Sequence, residues 1–417
     1  MALIEAVLDG KLRISDVYKD RLATCTGCFA CESACASGVP FSRIILAARE
    51  QAIRESGPGI AASVVSTALK NPVLMRSFAW LAPVALHYGK GSVKGQETRV
   101  RSAGRHDPHP CPNEDSPSPL LPLPSEGEDK RRGGIIFGEG KRERGLFQRG
   151  VRNEKKSRTT KGKVAFFSGC AVDHFQPDIG SATVRVLEGL GYEVVLPEGL
   201  VCCGRPFLSL GDRSAARELA LKNHDVLASL DVDTVVTSCA SCGLTFKKDY
   251  PALLAPSGRE PVRVQDIHEF LAGKTGDLDL APAPLKVTWH DPCHLGRGQG
   301  LSKTAREVLM AVPGIELVEM KYPDRCCGFG GVMRVSHPSL SSAIGEAKAK
   351  DIAATQADVV VTGCPGCRMQ IADSLRRVGS ETEVVHTVQV IEAALRNAEC
   401  GVRSAECEIA EGKKVGR

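Results

Sequence analysis

Aromatic residues are scarce in this 417-residue chain: Phe, Trp and Tyr together make up 5% of it, with two tryptophans. That is too few for a platform on which nucleic-acid bases stack. Long apolar runs are absent as well. The longest uncharged apolar stretch, residues 77–89, has 13 residues, short of the ~20 that a membrane-spanning helix needs. The opening MALIEAVLDGKLRISD carries charges throughout and has no apolar stretch followed by a small-residue cleavage site, so a cytoplasmic location is expected. An excess of one charge is missing from most of the chain. The formal net charge is +5, but residues 99–161 hold 15 basic and 9 acidic side chains while the remainder holds 39 and 40. So local an excess gives little support to a nucleic-acid or anionic-membrane partner. No G-x-G-x-x-G run, no H-E-x-x-H and no placeable Ser/His/Asp set occurs. Flavin, nicotinamide, zinc-protease and serine-hydrolase chemistry are therefore not expected of this chain alone. Gly296-Arg297-Gly298-Gln299-Gly300 has the wrong spacing for a nucleotide loop, and Cys293 already occupies its turn.

Cysteine is what the chain has in quantity: 17 residues. Disulfides do not persist in a reducing compartment, so metal binding is the default explanation for so many thiols.

The chain divides by pattern into a helical module (1–55), a helical connector (56–98), a low-complexity insert or linker (99–161), two α/β repeats (162–285 and 286–400) and a polar tail (401–417). Residues 16–22 and 41–53 place apolar side chains at helical spacing on either side of a cysteine cluster. Residues 60–90 continue in short helices divided at Pro72 and Pro83, a surface suited to a partner subunit. Seven prolines between Pro108 and Pro124, followed by charge runs, predict a segment with no packed core.

From Lys163 onward strand and helix alternate, and the alternation occurs twice. KVAFF (163–167) and KVTWH (286–290) are first strands, YEVVL and IELVEM second strands, TVVTS and DVVVTG third strands. Helices are expected over 183–190 and 304–312, and over 215–230 and 340–355. A parallel sheet in each half follows. The cysteines keep the same register: Cys170, Cys202, Cys203, Cys239 and Cys242 recur as Cys293, Cys326, Cys327, Cys364 and Cys367, at offsets of 123, 124, 124, 125 and 125. An internal duplication explains this.

Each of these cysteines follows the carboxyl end of a predicted strand, and in a parallel sheet those ends share the edge where ligands bind. Five thiols per repeat should therefore converge. Soft thiolates select iron–sulfur clusters, zinc or copper(I), and five exceed the four of a tetrahedral zinc site. Flanking glycines let backbone N–H groups reach sulfur. A zinc-stapled scaffold or buried inert thiols remain the alternative. His290 and His294 read as turn histidines beside the site, with tuning of a metal group or proton transfer as the other reading; Asp291-Pro292 shapes the turn.

In the N-terminal module, Cys25-x2-Cys28-x2-Cys31-x3-Cys35 has the spacing of a bacterial 4Fe–4S ferredoxin motif. It departs from that pattern in two ways. Ala36 stands where proline usually follows the fourth cysteine, and a single motif is present where two normally exchange their fourth ligands. Either residues are missing from the start or another group completes the cluster. Cys111 is a poor candidate, and Cys400 and Cys407 read as free thiols.

The doubled pattern Cys…Cys-Cys-Gly…Cys-x2-Cys, with the strings DPCHLGRG, DRCCGFGG and CPGCRMQ, resembles the cysteine-rich "CCG" domain pair. That pair occurs in heterodisulfide reductase subunits and in the iron–sulfur subunits of glycolate oxidase, lactate-utilisation and anaerobic glycerol-3-phosphate dehydrogenase systems. The resemblance covers residues 162–397. The N-terminal motif, with Ser37-Gly38-Val39-Pro40 after it, resembles the last ferredoxin-type motif of glycolate oxidase iron–sulfur subunits. The resemblance implies an α/β fold: a helical 4Fe–4S ferredoxin-type N-terminal module followed by two parallel-sheet CCG domains. It also implies an N-terminal 4Fe–4S cubane and one or two further 4Fe–4S clusters, non-cubane in type, held by the two five-cysteine sets. The expected role is an electron-transfer subunit, cytoplasmic or peripheral on the inner face of the membrane. It would take electrons from an FAD-containing dehydrogenase of glycolate or D-lactate and pass them toward a quinone or another acceptor. Reduction of a thiol disulfide at a non-cubane cluster is the alternative.

Overall fold

The computed structural model describes residues 1–57, 160–330 and 333–399, together with the isolated positions 63 and 67. All of these belong to one compact unit. The expectations for the connector helices of 60–90, the proline-rich insert, Cys111, Cys400, Cys407 and the polar tail lie outside the described residues.

Each repeat folds around a four-stranded, wholly parallel sheet. The first has the order β2-β1-β3-β4, with β1 at Gly162–Phe166, β2 at Tyr192–Val195, β3 at Thr234–Thr237 and β4 at Val264–Asp266. The second has the order β6-β5-β7-β8, with β5 at Leu285–His290, β6 at Ile315–Leu317, β7 at Val359–Thr362 and β8 at Glu383–His386. The central strands are nearly continuous apolar runs, as burial on both faces demands. Six strands fall where the sequence places them. The fourth strand of each sheet does not follow from periodicity, because VQD and EVVH are too short to show one. In IELVEM only Ile315–Leu317 is strand. Val318 N–H still bonds Val287 O at 2.8 Å, after which the chain turns away to deliver the cysteine pair.

The expected helices form at Pro177–Gly189 and Ser302–Met310, and at Arg213–Ala228 and Pro338–Ala353. Pro177 and Pro338 open theirs, where a missing N–H costs nothing. Asp212 caps Arg213–Ala228 by accepting from Ala215 N–H at 2.9 Å.

The two sheets share one apolar core that runs from Val164 and Phe166 to Trp289 and Val360. The contact between repeats is reciprocal. Helix Pro177–Gly189, after the first strand of repeat one, packs on Thr387–Glu399, after the last strand of repeat two; Ser302–Met310 packs likewise on Ile267–Leu271. Two glutamines 123 positions apart repeat one bond: Gln176 Nε2 donates to Pro365 O at 2.7 Å, and Gln299 Nε2 donates to Ala240 O at 3.0 Å. His268, fully buried, is held by Asp266 (2.7 Å) and reaches Thr387 Oγ1 of the other repeat at 2.9 Å.

The N-terminal module has its own small core of Ile4, Tyr18, Leu22, Ala48 and Ala52, contributed mainly by helices Asp16–Ala23 and Phe41–Ser56. It joins the repeats through polar contacts. Buried Arg49 donates to Leu22 O (2.6 Å), Cys25 O (2.7 Å) and Ser209 O (2.9 Å), and His337 Nε2 meets Asp20 at 2.9 Å.

Candidate metal centre

The cysteines lie where the sheets predict. Cys170 and Cys293 follow the central strands β1 and β5, the Cys-Cys pairs follow the loops after β2 and β6, and the Cys-x2-Cys pairs follow β3 and β7. In each sheet β1 and β3, or β5 and β7, flank the point where strand order reverses, the usual ligand position in open parallel sheets.

Local structure fixes each side chain. Cys239 and Cys364 are the N-caps of helices Ala240–Leu244 and Pro365–Arg377, so Cys242 and Cys367 occupy their first turns. Both members of each pair thus sit at the positive end of a helix dipole, which favours thiolate. The glycine after each Cys-Cys pair has a left-handed backbone: Gly204 at φ +92° and Gly328 at φ +90°. A Cβ there would lie 3.3 Å from the Ala216 backbone or 2.5 Å from Ser341 O, so the motif requires glycine for both conformation and space. Fully buried Asn223 braces the first pair, accepting from Val201 N–H (2.8 Å) and donating to Cys202 O (3.1 Å). Lys348, equally buried, donates to Tyr322 O and Pro323 O on the loop before the second pair.

Each quintet comes together. In repeat one the thiols run Cys170–Cys202–Cys203–Cys242–Cys239 as successive neighbours, with Cys170 and Cys202 sulfurs 3.6 Å apart. In repeat two the run is Cys293–Cys326–Cys327–Cys367–Cys364, with Cys327 and Cys367 sulfurs 3.5 Å apart. All are free thiols. Two thiolates on one tetrahedral metal with bonds of about 2.3 Å stand roughly 3.8 Å apart, close to these spacings. Gly328 N–H donates to Cys326 Sγ at 3.4 Å, a backbone bond to sulfur of the kind expected around iron–sulfur groups. The donor chemistry therefore fits a thiolate-bound metal group in each repeat.

So many buried thiols cannot ionise together. Hydrogen bonds from Cys202, Cys293 and Cys239 hold Cys203, Cys326 and Cys364 well below the usual thiol range, while the neighbours Cys170, Cys326 and Cys327 push Cys202, Cys327 and Cys367 well above it. A cationic metal group relieves that conflict by taking the remaining sulfurs as thiolates.

The two quintets also meet: Cys239 and Cys364 are hydrogen-bond neighbours. The N-terminal motif lies over the second. Thr26 hydrogen-bonds Cys326, the charges of Cys28 and Cys293 interact, and Arg297 Nη1 donates to Cys28 O at 3.4 Å. Within the motif Cys25, Cys28 and Cys31 act on one another electrostatically. Cys35 lies just past the short helix Ala30–Ser33 and its C-cap Ala34, with its N–H on Glu32 O at 3.1 Å.

His294 Nδ1 bonds Ser241 Oγ at 2.8 Å, and its ring meets Phe29 edge-on at 5.9 Å, so it ties repeat two to repeat one and to the N-terminal loop. His290 ends β5, buried, and burial lowers its pKa to about 3. Asp291 accepts from Arg306 at 3.0 Å and from Ser302, which fixes the turn. Two buried guanidiniums stand near the first repeat and the N-terminal motif: Arg49, and Arg205 paired with Asp249 at 2.9 Å. Neither arginine announces itself in the sequence. Gln176 and Gln299 do carry a signal there, because they share the register of the cysteines.

Comparison with known proteins agrees with this architecture. A family model described as "Cysteine-rich domain" (CCG) matches residues 164–247 and again 287–372. A probable glycolate oxidase iron-sulfur subunit from Bacillus subtilis is 28% identical over 402 residues, 94% of this chain and 86% of that protein. Lactate utilization protein A of Oceanobacillus iheyensis is 31% identical over 237 residues, covering 55% of this chain and 96% of that one. A subunit of the dihydromethanophenazine:CoB–CoM heterodisulfide reductase of Methanosarcina barkeri is 36% identical over 250 residues, 56% of this chain and 59% of that one. Other curated relatives, 40–41% identical, are matched over 45–46% of their own length, so this chain spans about half of them. With five-cysteine sets on two parallel sheets and the family pattern matched twice, the chain belongs to the cysteine-rich CCG domain family.

Proposed function

We propose that this chain is the iron–sulfur, electron-carrying subunit of a flavin-linked 2-hydroxy-acid dehydrogenase complex that oxidises glycolate or D-lactate. Its partner would be an FAD-containing subunit, and its acceptor a quinone or another carrier. The observation that carries the reading is the unbroken succession of thiols from Cys170 through Cys239 to Cys364 and on to Cys293, with Cys28 beside its end. Three donor sets in one compact unit, in a chain with no fingerprint for an organic cofactor, suit relay better than substrate chemistry.

On this reading Cys170, Cys202, Cys203, Cys239 and Cys242 hold one 4Fe–4S cluster, and Cys293, Cys326, Cys327, Cys364 and Cys367 hold a second. Cys25, Cys28, Cys31 and Cys35 serve an N-terminal cubane. Such clusters supply one-electron carriage. The protein's part is to bury the sulfurs, to donate backbone N–H groups to them as Gly328 does to Cys326 and Arg205 to Cys203, and to set Arg49 where its charge offsets that of a Cys25 thiolate. The division into residues 1–55, 162–285 and 286–400 follows the same assignment. Among the described residues no helix is long and apolar enough to cross a membrane, which accords with a peripheral place beside a quinone. Similarity to the B. subtilis glycolate oxidase protein extends over 94% of the chain, and this favours the hydroxy-acid branch.

Disulfide reduction is the second reading. Both quintets are complete, as that chemistry would use, and the M. barkeri relative bears a heterodisulfide reductase name. One experiment separates the two. The full chain, purified without oxygen and shown to contain iron and acid-labile sulfide, should couple a flavin-linked glycolate or lactate dehydrogenase to quinone reduction. Reduction of a thiol heterodisulfide by the chain with no flavoprotein present would overturn the first reading.

A further inference from the structure

The two repeats differ at the end of their first strands. Phe167 follows β1, and His290 ends β5 123 positions later, the same offset that relates Cys170 to Cys293. Phe167 is fully buried and packs edge-on against Phe246 with ring centroids 4.8 Å apart. His290 is 1% exposed, yet it is polar and its surroundings leave it unsatisfied. Neither ring nitrogen makes a sound hydrogen bond among the described residues, whereas buried imidazoles ordinarily find partners. The Pro323 carbonyl beside the ring already accepts from Asp291 N–H (2.9 Å) and Lys348 Nζ (3.3 Å). A nitrogen of His290 and the sulfurs of Cys327 and Cys367 all lie within 4.8 Å of one another. Thiolate bonds of about 2.3 Å and imidazole bonds of about 2.0–2.1 Å bring donors on one ion to within roughly 4 Å of each other, which small side-chain adjustments here would reach.

We infer that His290 is a nitrogen ligand of the metal group held by Cys327 and Cys367. The second site then has mixed sulfur and nitrogen donors, while the first, with Phe167 in the matching place, has sulfur alone. The inference rests on the reading that the quintets hold iron–sulfur groups.

The test uses the full chain, loaded with 57Fe and grown with either 14N- or 15N-histidine. Pulsed EPR of the dithionite-reduced protein should show a strongly coupled nitrogen whose pattern changes with the isotope. The coupling should be absent in His290→Phe and kept in His294→Gln. Because the isotope comparison is made on the unaltered chain, it does not depend on how His290→Phe folds. Mössbauer spectra register every iron whatever its spin state, and they should lose one iron environment in His290→Phe. Full iron and sulfide content with no histidine coupling, or identical Mössbauer spectra, would overturn the His290 assignment and leave the functional reading standing. Absence of acid-labile sulfide would overturn both.

Discussion

At the scale of single residues, buried polar side chains bear more of the architecture than their number suggests. Arg49 is 9% exposed and serves three backbone carbonyls from two parts of the chain. Arg49→Met should cost about 2–4 kcal/mol, because buried acceptors lose their donor, and should lower the urea midpoint accordingly. His386 offers a pH test. Val388 N–H donates to its Nδ1 at 3.3 Å, its Nε2 has no hydrogen-bond partner among the described residues, and burial lowers its pKa to about 3. An unfolded histidine titrates near 6.5. Above that value neither state binds the proton; below it the unfolded state binds first. Stability is therefore flat above about pH 6.5 and falls as pH drops toward 3, by about 1.4 kcal/mol per unit for this residue. His386→Gln, followed by denaturant titration between pH 4 and 7, should flatten the acid limb by that slope. An unchanged slope would mean the imidazole is already protonated in the fold. Composition alone reveals neither residue, since burial of a lone Arg or His depends on which loops close over it.

At the scale of elements, contact between the N-terminal helix Phe41–Ser56 and the first repeat depends on a glycine. Gly211 has φ +92°, and a Cβ there would stand 2.6 Å from the Arg49 backbone. Gly211→Ala combines left-handed strain with a clash against main chain, and should destabilise by about 2–4 kcal/mol. Gly258, at φ +67° with nothing within 4 Å, is the control: Gly258→Ala carries the strain alone, about 1 kcal/mol. Proteolysis within 41–56 should accelerate in the first variant and not in the second. Most elements were legible in the sequence. The longer strands declare themselves as β-branched runs, and the helices between them by Ala-rich periodicity. Strands β4 and β8 were not legible, because three or four residues on a sheet edge carry no period and are held by neighbours distant in sequence. The capping role of Cys239 and Cys364 was likewise hidden, although it explains why Cys-x2-Cys is the spacing used: the cap and the third helical residue face the same way.

At the scale of the whole molecule, the gathering of the thiols into two quintets was the most legible feature. Five cysteines in register over offsets of 123 to 125 already imply two matching clusters of thiols. What register cannot tell is how two sheets pack, so the approach of Cys239 to Cys364 and the overlay of Thr26 on Cys326 emerge only in three dimensions. The reciprocal glutamine bonds bear on this packing directly. Gln176→Ala and Gln299→Ala should each cost about 1 kcal/mol in chemical unfolding. The double variant should cost close to their sum, as expected for separated sites without shared partners; a marked excess would show that the bonds act jointly. Gln176 on Pro365 and Gln299 on Ala240 are one contact made twice, each half giving what it receives, as in a two-fold symmetric dimer. A single-unit polypeptide could have met its own twin through such a surface, but a twin pair carries two histidines or two phenylalanines at the position of His290 and Phe167. Joining the halves in one gene product lifts that compulsory sameness, and lets two neighbouring pockets of common descent drift toward different electronic characters while remaining locked at one of each.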